Sequence, residues 1–162
     1  MICQQDFFNF LKFFCFFLHY RQYAGLSFGK NYVIIRKNGD DTMKLKNSLI
    51  VVEDLERSKK FYRDLFGLEV ILDRDGNVML TEGLVLQEKA VWEEHIAKPV
   101  ILPNHASELY FEEKQLDAFV QKLEQYDLPV TYVTPLTELP WGQKIVRLYD
   151  PDGNLLEVRT PN

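Results

Sequence analysis

The sequence predicts an α+β fold in which one strand–helix–three-strand unit occurs twice. Short runs rich in β-branched residues flank two amphipathic helical segments, in the same order each time. The copies are offset by about 60 residues, since Leu55 matches Leu116 and the triplet LEV at 68–70 matches LPV at 128–130. Similarity at such a period is typical of a duplicated unit. The composition also changes at Met43, where the repeated pattern begins.

The first unit begins with a strand over residues 44–52 and continues into a helix that Asp54 caps and Gly67 ends. Asp accepts hydrogen bonds from the N–H groups of the first turn, and Gly adopts the left-handed conformation that closes a helix. Three strands are predicted to follow, broken by the turn pairs Asp75-Gly76 and Glu82-Gly83. These strands span residues 68–73, 77–81 and 84–89.

The second unit repeats this order with a strand over residues 107–112 and a helix over 115–126. Its three closing strands are predicted at residues 130–133, 143–149 and 155–160. The last two are joined by DPDGN at 150–154, a dense turn signal. The predicted domain therefore covers residues 43–162, with a first module at about 43–90, a linker at about 91–104 and a second module at about 105–162.

Residues 1–42 differ from the rest of the chain and are expected to be a non-native or disordered extension. They contain eight of the twelve phenylalanines and both cysteines. The run FFNFLKFFCFFLHY at 7–20 is shorter than the roughly 20 apolar residues of a membrane-spanning helix, and Lys12 interrupts it. It also lacks the basic start and small-residue end of a secretory signal. Attachment to a membrane surface remains an alternative to translated upstream sequence.

Charge and cysteine content exclude several classes of function. The whole chain has a net charge of −5 and residues 1–42 have +2, so residues 43–162 carry −7. An acidic domain without a basic cluster does not fit a nucleic-acid-binding protein. Two cysteines provide neither a disulfide framework nor a thiolate metal cluster. These observations favour a reducing compartment, and we expect a cytoplasmic protein.

Two motifs give the chain a resemblance to a known superfamily. The segment NSLIVVEDLERSKKFYRDLFGLEV at 47–70 and the segment WGQKIVRLYDPDGNLLEV at 141–158 resemble the vicinal oxygen chelate proteins. That superfamily includes glyoxalase I, the fosfomycin and bleomycin resistance proteins, and the extradiol dioxygenases. The resemblance implies paired βαβββ modules whose sheets curl around a shared cup, in a homodimer. It does not specify the chemistry, because this fold hosts lyases, transferases, dioxygenases and non-catalytic drug binders.

Side-chain alternation predicts which strand residues face the cup. Successive residues of a strand point to opposite faces, so those opposite the helix-facing positions should line the cavity. Four of them are polar on otherwise apolar strands, and we predict that they converge on one cavity: Asn47, Gln87, Glu108 and Glu157. Burying them without partners would cost on the order of 1–3 kcal/mol each.

The resemblance implies a metal site at these positions, but the residue types match only in part. Glu157 agrees with the family's terminal glutamate. Glu108 stands where histidine is more usual, Asn47 where histidine or glutamine is usual, and Gln87 where glutamate is usual in glyoxalases. With Glu108, Glu157 and Gln87 as ligands, a divalent ion such as Mn²⁺, Mg²⁺, Ni²⁺ or Zn²⁺ is possible, and oxygen donors favour the harder ions. An extradiol iron site of two histidines and a carboxylate is excluded by the residues present.

A metal-free arrangement is the preferred alternative. If a five-residue loop joins the last two strands, Arg147 lies opposite Glu157, and a cross-strand ion pair would satisfy the carboxylate. Glu108 could be neutralised by the same guanidinium. In this interpretation the cavity requires no cofactor.

The function expected from these residues is binding of a small polar or aromatic molecule, without a requirement for catalysis. Tyr110 and Trp141 should supply aromatic walls, although Trp141 could equally anchor its loop. The second hypothesis is a metal-dependent lyase or isomerase of the glyoxalase type, in which Glu157 would be the catalytic carboxylate. The sequence does not decide whether the protein is an enzyme.

Overall fold

The computed structural model describes residues 43–103 and 105–162, and Lys44–Asn162 forms one compact unit. It contains two successive βαβββ modules, as predicted. The first comprises β1 (Ser48–Val52), α1 (Leu55–Phe66), β2 (Val70–Arg74), β3 (Asn77–Leu80) and β4 (Leu84–Glu88). After α2 (Lys89–Ile96), the second comprises β5 (Glu108–Glu112), α3 (Leu116–Glu124), β6 (Thr131–Glu138), β7 (Lys144–Tyr149) and β8 (Leu155–Arg159).

Each module forms a four-stranded mixed sheet in which the first strand pairs with the last. The strand orders are β1-β4-β3-β2 and β5-β8-β7-β6. The outer pairs β1·β4 and β5·β8 are parallel, and the remaining pairs are antiparallel. Within the part of the chain that the structure describes, the two sheets are separate and do not close into one barrel.

Helix α1 begins and ends at the predicted residues. The Asp54 carboxylate accepts a hydrogen bond from the backbone N–H of Arg57 at 3.0 Å. Gly67 has the left-handed φ of 67° that the C-terminal cap requires, and its N–H donates to the Arg63 carbonyl. Local capping chemistry therefore fixes this helix at both ends.

The largest difference from the sequence prediction lies in the segment between the modules. Residues 91–104 were expected to be a linker, yet α2 extends to Ile96. This helix is short and only weakly amphipathic, so hydrophobic periodicity gave little sign of it. Strand β6 is also longer than the predicted residues 130–133, and its pairing with β7 contains register shifts that a propensity pattern does not encode.

Both modules contribute to one hydrophobic core. Phe66 of α1 packs against Phe111 of β5 and Phe119 of α3, with ring centroids 4.5 and 5.5 Å apart. The aromatic residues Phe61 and Tyr62 of α1 and Phe119 of α3 are all buried. Burial of apolar area from both helices and both sheets makes the two modules one folding unit.

The DPDGN turn between β7 and β8 joins the second module to α1. The buried Asp150 carboxylate accepts hydrogen bonds from the backbone N–H groups of Asp152 and Asn154 and from the Tyr62 hydroxyl, the last at 2.8 Å. Asp152 accepts from the Ser58 hydroxyl at 3.0 Å. Burial raises the pKa of Asp150, while these donors act in the opposite direction.

Asp152 extends the same junction to the first turn of α1. Its carboxylate accepts from the backbone N–H of Glu53 at 2.9 Å and from the Arg57 guanidinium at 2.7 Å. The Asp152 side chain is almost completely buried, whereas Arg57 remains partly exposed. The turn that sets the β7–β8 register therefore also fixes how the modules contact each other.

We predict that Tyr62→Phe destabilises the protein by about 1.5–3 kcal/mol at neutral pH, because it removes a donor to an ionised, buried carboxylate. Loss of the hydroxyl also raises the folded-state pKa of Asp150 further. When the pKa of a group is higher in the folded protein than in the unfolded chain, the resulting stabilisation is fully present below the pKa of the unfolded chain. It is lost as the pH rises through the pKa of the folded protein. The loss in the free energy of unfolding caused by Tyr62→Phe should therefore be larger at pH of about 7 than at pH of about 4. Urea unfolding at the two pH values measures it.

Tyr132→Phe is the matched control, since Tyr132 is exposed on β6 and no hydrogen bond of its hydroxyl is found among the described residues. It should change the free energy of unfolding by less than about 0.5 kcal/mol. Equal costs of Tyr62→Phe at both pH values would contradict the charge-assisted bond to Asp150.

Candidate functional site

The two faces of each sheet separate as alternation predicted. Ile50, Val52, Leu84 and Leu86 point into the core beneath the helices. On β5, Glu108 and Tyr110 point to the opposite face, and so does Glu112, while the alternate residues pack against the core. The second sheet therefore presents polar and aromatic side chains on the face away from its helix.

Glu157 lies at the centre of this face and is held between two arginines. Strand pairing places Arg147 opposite Glu157, as predicted, and a guanidinium nitrogen of Arg147 contacts one carboxylate oxygen. The other oxygen contacts the Arg159 guanidinium at 2.8 Å. The side chain of Glu157 is only 3% exposed, whereas both arginines are about one-third exposed. Both carboxylate oxygens are thus neutralised by side chains of the same sheet.

Glu108 shares one of these arginines. Its carboxylate lies 3.2 Å from Nε of Arg147, and both side chains are about one-third exposed. Arg147 therefore bridges Glu108 and Glu157 across the face of the sheet. Fork-shaped guanidinium donors suit such bridging between carboxylates.

Tyr110 provides the aromatic surface of the site. The guanidinium carbon of Arg159 lies 4.1 Å from the centre of the Tyr110 ring, in cation–π contact. The tyrosine hydroxyl donates to Glu112 at 3.3 Å. Partial burial raises the pKa of Tyr110. Tyr110 is 43% exposed, so part of its surface is accessible to a bound molecule.

Gln87 and Asn47 do not join this cluster. Asn77 donates an N–H to the Gln87 carbonyl oxygen at 2.7 Å, and the Gln87 amide donates to the Gly76 carbonyl at 2.9 Å. Both ends of the buried Gln87 amide are therefore used to hold the β2–β3 turn. Gln87 pairs with Val51 of β1. Asn47 precedes Val51 by four residues, so the two backbone positions are roughly 13 Å apart along the strand direction. The expected convergence of four polar residues is thus restricted to Glu108 and Glu157.

Trp141 lies on the loop between β6 and β7 and is 70% exposed. Its indole N–H donates to the side-chain oxygen of Gln143 at 3.2 Å. The Gln143 amide in turn donates to the Thr160 carbonyl at 2.7 Å. These contacts agree with an anchored loop, and most of the indole surface remains open to solvent.

The side chains that would hold a metal do not form a suitable donor set. Among the described residues, no three His, Cys, Asp or Glu side chains lie close enough together to bind a metal ion. Glu157 has guanidinium groups at both oxygens, and two fixed positive charges oppose the approach of a cation. Gln87 uses its oxygen within the first module. The geometry therefore does not fit the ligand set that the resemblance implied.

Arg159 is the site residue that sequence reasoning missed. Alternation placed it on the same face as Glu157, two residues further along β8, and that was the available signal. The register also sets Glu157 beside Tyr110 and Arg159 beside Glu112. One arginine was expected to neutralise Glu157, and the structure uses two.

A model of the glyoxalase-like domain family matches residues 45–161. The chain belongs to the glyoxalase-like domain family. Its two βαβββ modules are those of the vicinal oxygen chelate fold, as the two motifs indicated. None of the curated proteins compared with the chain matches it significantly. No helix of the described residues has the length and apolar character that crossing a membrane requires.

Solved structures of this glyoxalase-like domain's relatives agree with the assignment. A protein of unknown function from Agrobacterium tumefaciens strain C58 is 31% identical, with a TM-score of 0.65 over 75% of this chain and 96% of the other. A lactoylglutathione lyase from Agrobacterium tumefaciens is 26% identical, with a TM-score of 0.56 over 74% and 94%. A glyoxalase/bleomycin resistance protein/dioxygenase family enzyme from Burkholderia phytofirmans shares the fold at 18% identity, with a TM-score of 0.61 over 71% and 96%.

We predict that Arg147→Ala and Arg159→Ala each destabilise the domain by about 1–2 kcal/mol, because one guanidinium still contacts Glu157 in either variant. The double variant leaves a buried carboxylate without positive charge and should cost about 3–5 kcal/mol. Urea unfolding at pH 7 measures these free energies.

Glu157→Gln in the double-alanine background is the control, since it removes the unpaired charge. It should recover part of the lost stability, because a neutral amide is less costly to bury. Strictly additive costs of the two single substitutions, with no recovery by Glu157→Gln, would contradict the shared ion pair.

Proposed function

We propose that this glyoxalase-like protein binds a small polar or aromatic molecule on the cup face of its second sheet, without a metal. The observation that carries the proposal is the double ion pair of Glu157 with Arg147 and Arg159. A carboxylate with both oxygens neutralised is not available as a metal ligand. It holds the two arginines in position beside the proposed ligand site. No catalytic step is required of it.

The exposed groups around this ion pair define what a ligand would contact. Tyr110 offers an aromatic surface whose other side is in contact with Arg159. Arg147 is partly exposed and carries further N–H donors that can reach a polar substituent. A planar molecule with a hydrogen-bond acceptor therefore suits the site. The exposed Trp141 is a candidate for a further aromatic contact, whereas Asn47 and Gln87 are less suitable because of their positions and existing bonds.

The alternative function is a metal-dependent lyase or isomerase of the glyoxalase I type. It is favoured by the 26% identity to the solved lactoylglutathione lyase and by the position of Glu157 on the last strand. In that case Glu157 would act as the catalytic carboxylate, and the metal would have to displace Arg147 and Arg159 from it. The two hypotheses therefore differ in whether a metal binds the native state.

We predict that Mn²⁺, Ni²⁺ or Zn²⁺ leaves the Tm of the protein unchanged, as measured by a thermal unfolding titration after dialysis against a chelator. A ligand that binds the native state must raise the Tm by mass action. A saturable rise that disappears in Glu157→Gln would instead support the lyase hypothesis. Asp73→Asn is the control for nonspecific cation binding, since Asp73 is an exposed carboxylate on β2.

We also propose that the protein is a cytoplasmic homodimer. Supporting evidence for a dimer is the edge strand β2, which exposes three consecutive large apolar side chains, Val70, Ile71 and Leu72. An exposed apolar edge strand favours contact with another protein surface unless it is covered. A second copy that covers this strand would remove that apolar area from water.

We predict that light scattering at micromolar concentration gives twice the monomer mass, and that Leu72→Lys gives a monomer because it places a charge in the apolar contact. Ile101→Lys is the control. Ile101 is equally apolar and more exposed than Leu72 but lies outside any strand. A wild-type monomer at all concentrations, or dissociation by both substitutions alike, would contradict a dimer contact through β2.

A further inference from the structure

Strand β5 has an open edge. It lies at one end of the second sheet, and its neighbour in the ladder is β8. Residues 43–103 and 105–162 contain no strand that pairs with its other side. An open edge presents unpaired N–H and C=O groups to which another strand can bond.

The register of β5 identifies these backbone groups. The N–H of Glu113, just after the strand, donates to the Arg159 carbonyl of β8 at 2.9 Å. In a parallel ladder, alternate residues of a strand bond to a given neighbour. Leu109 and Phe111, which alternate with Glu113, therefore bond to β8. The N–H and C=O groups of Glu108, Tyr110 and Glu112 point to the open edge.

A groove of about 550 Å³ runs along this edge. All five residues of β5 line it, although their side chains alternate between two faces, so the groove follows the edge rather than one face. Its other wall comes from the first module. The lining there consists of Ser48, Leu68, Glu82 and Leu84. Both walls belong to the same compact unit.

The groove is acidic. Glu82, Glu108 and Glu112 line it, and Glu108 already shares Arg147 with Glu157. Glu82 and Glu112 form no ion pair with any residue that the structure describes. Two copies of β5 paired antiparallel about Tyr110 would place Glu108 of each copy opposite Glu112 of the other, and like charges directly opposite are destabilising. A basic strand fits this edge better than a second copy of the chain does.

We propose that the open edge of β5 binds an extended, lysine- or arginine-rich peptide segment of a partner protein by strand addition. The main-chain groups of Glu108, Tyr110 and Glu112 supply the ladder hydrogen bonds. The glutamates select basic side chains at alternate positions of the peptide. The peptide bonds to main-chain groups at the strand edge, whereas the small molecule proposed above contacts the Tyr110 ring and the Arg147 guanidinium beside Glu157.

The test is amide hydrogen exchange of the full chain with an end-blocked seven-residue peptide of alternating lysine and valine. Strand addition should slow exchange at Glu108, Tyr110 and Glu112. Exchange at Leu109 and Phe111, which already bond to β8, should change little. A peptide with glutamate in place of lysine should give no protection. Absence of protection at saturating lysine peptide, or equal protection by both peptides, would overturn the proposal.

Substitutions at Glu112 separate charge from backbone bonding. Glu112→Gln should weaken binding of the lysine peptide by up to about fivefold, the range of a surface ion pair. Glu112→Pro also removes an edge N–H while leaving the bonds to β8 intact, so it should weaken binding further. If Glu112→Pro does not fold, the comparison of Glu112→Gln with wild type still tests whether the charge of Glu112 contributes to binding of the lysine peptide. Protection that depends on protein concentration without peptide would identify a second copy as the occupant and refute the proposal.

Discussion

The buried carboxylate of Glu157 is the constraint on which the second sheet depends. An ionised group with 3% of its side chain exposed requires positive charge within contact distance, and Arg147 and Arg159 supply it from two strands. Arg159 shares β8 with Glu157, but Arg147 can reach the carboxylate only if β7 and β8 keep their register, since a slip of one residue would turn the side chains of one strand to the other face. The position of Tyr110 depends on the same arrangement through its contact with Arg159.

That register is fixed outside the site, at the DPDGN turn. Asp150 organises the turn by accepting from backbone and side-chain donors, and its bond from Tyr62 connects it to α1. Asp152 makes the second connection through Arg57 and Ser58. Packing of the two modules and alignment of the charged strands are therefore consequences of one short loop. The motif that gave the clearest family resemblance is also the structural junction of the domain.

Local chemistry explains which features the sequence could reveal. The limits of α1 follow from Asp54 and Gly67, and the pairing of Arg147 with Glu157 follows from the length of one turn. Contacts between distant residues were less accessible. The bonds of Gln87 to Asn77 and the Gly76 carbonyl depend on how β3 meets β4, which alternation alone does not specify. Alternation predicted a common face for Asn47 and Gln87, but it carries no information on their separation along the sheet.

Strand β8 is the last element of the chain that the structure describes, yet it lies inside its sheet, between β5 and β7. Its partner residue for Glu108 is Leu155, 47 positions later in the sequence. During synthesis, β5, β6 and β7 therefore leave the ribosome before the strand that joins β5 to the hairpin exists. The second module can complete its sheet and pair Arg147 with Glu157 only when β8 has emerged, so nascent chains must keep part of these charged and apolar surfaces unpaired until then.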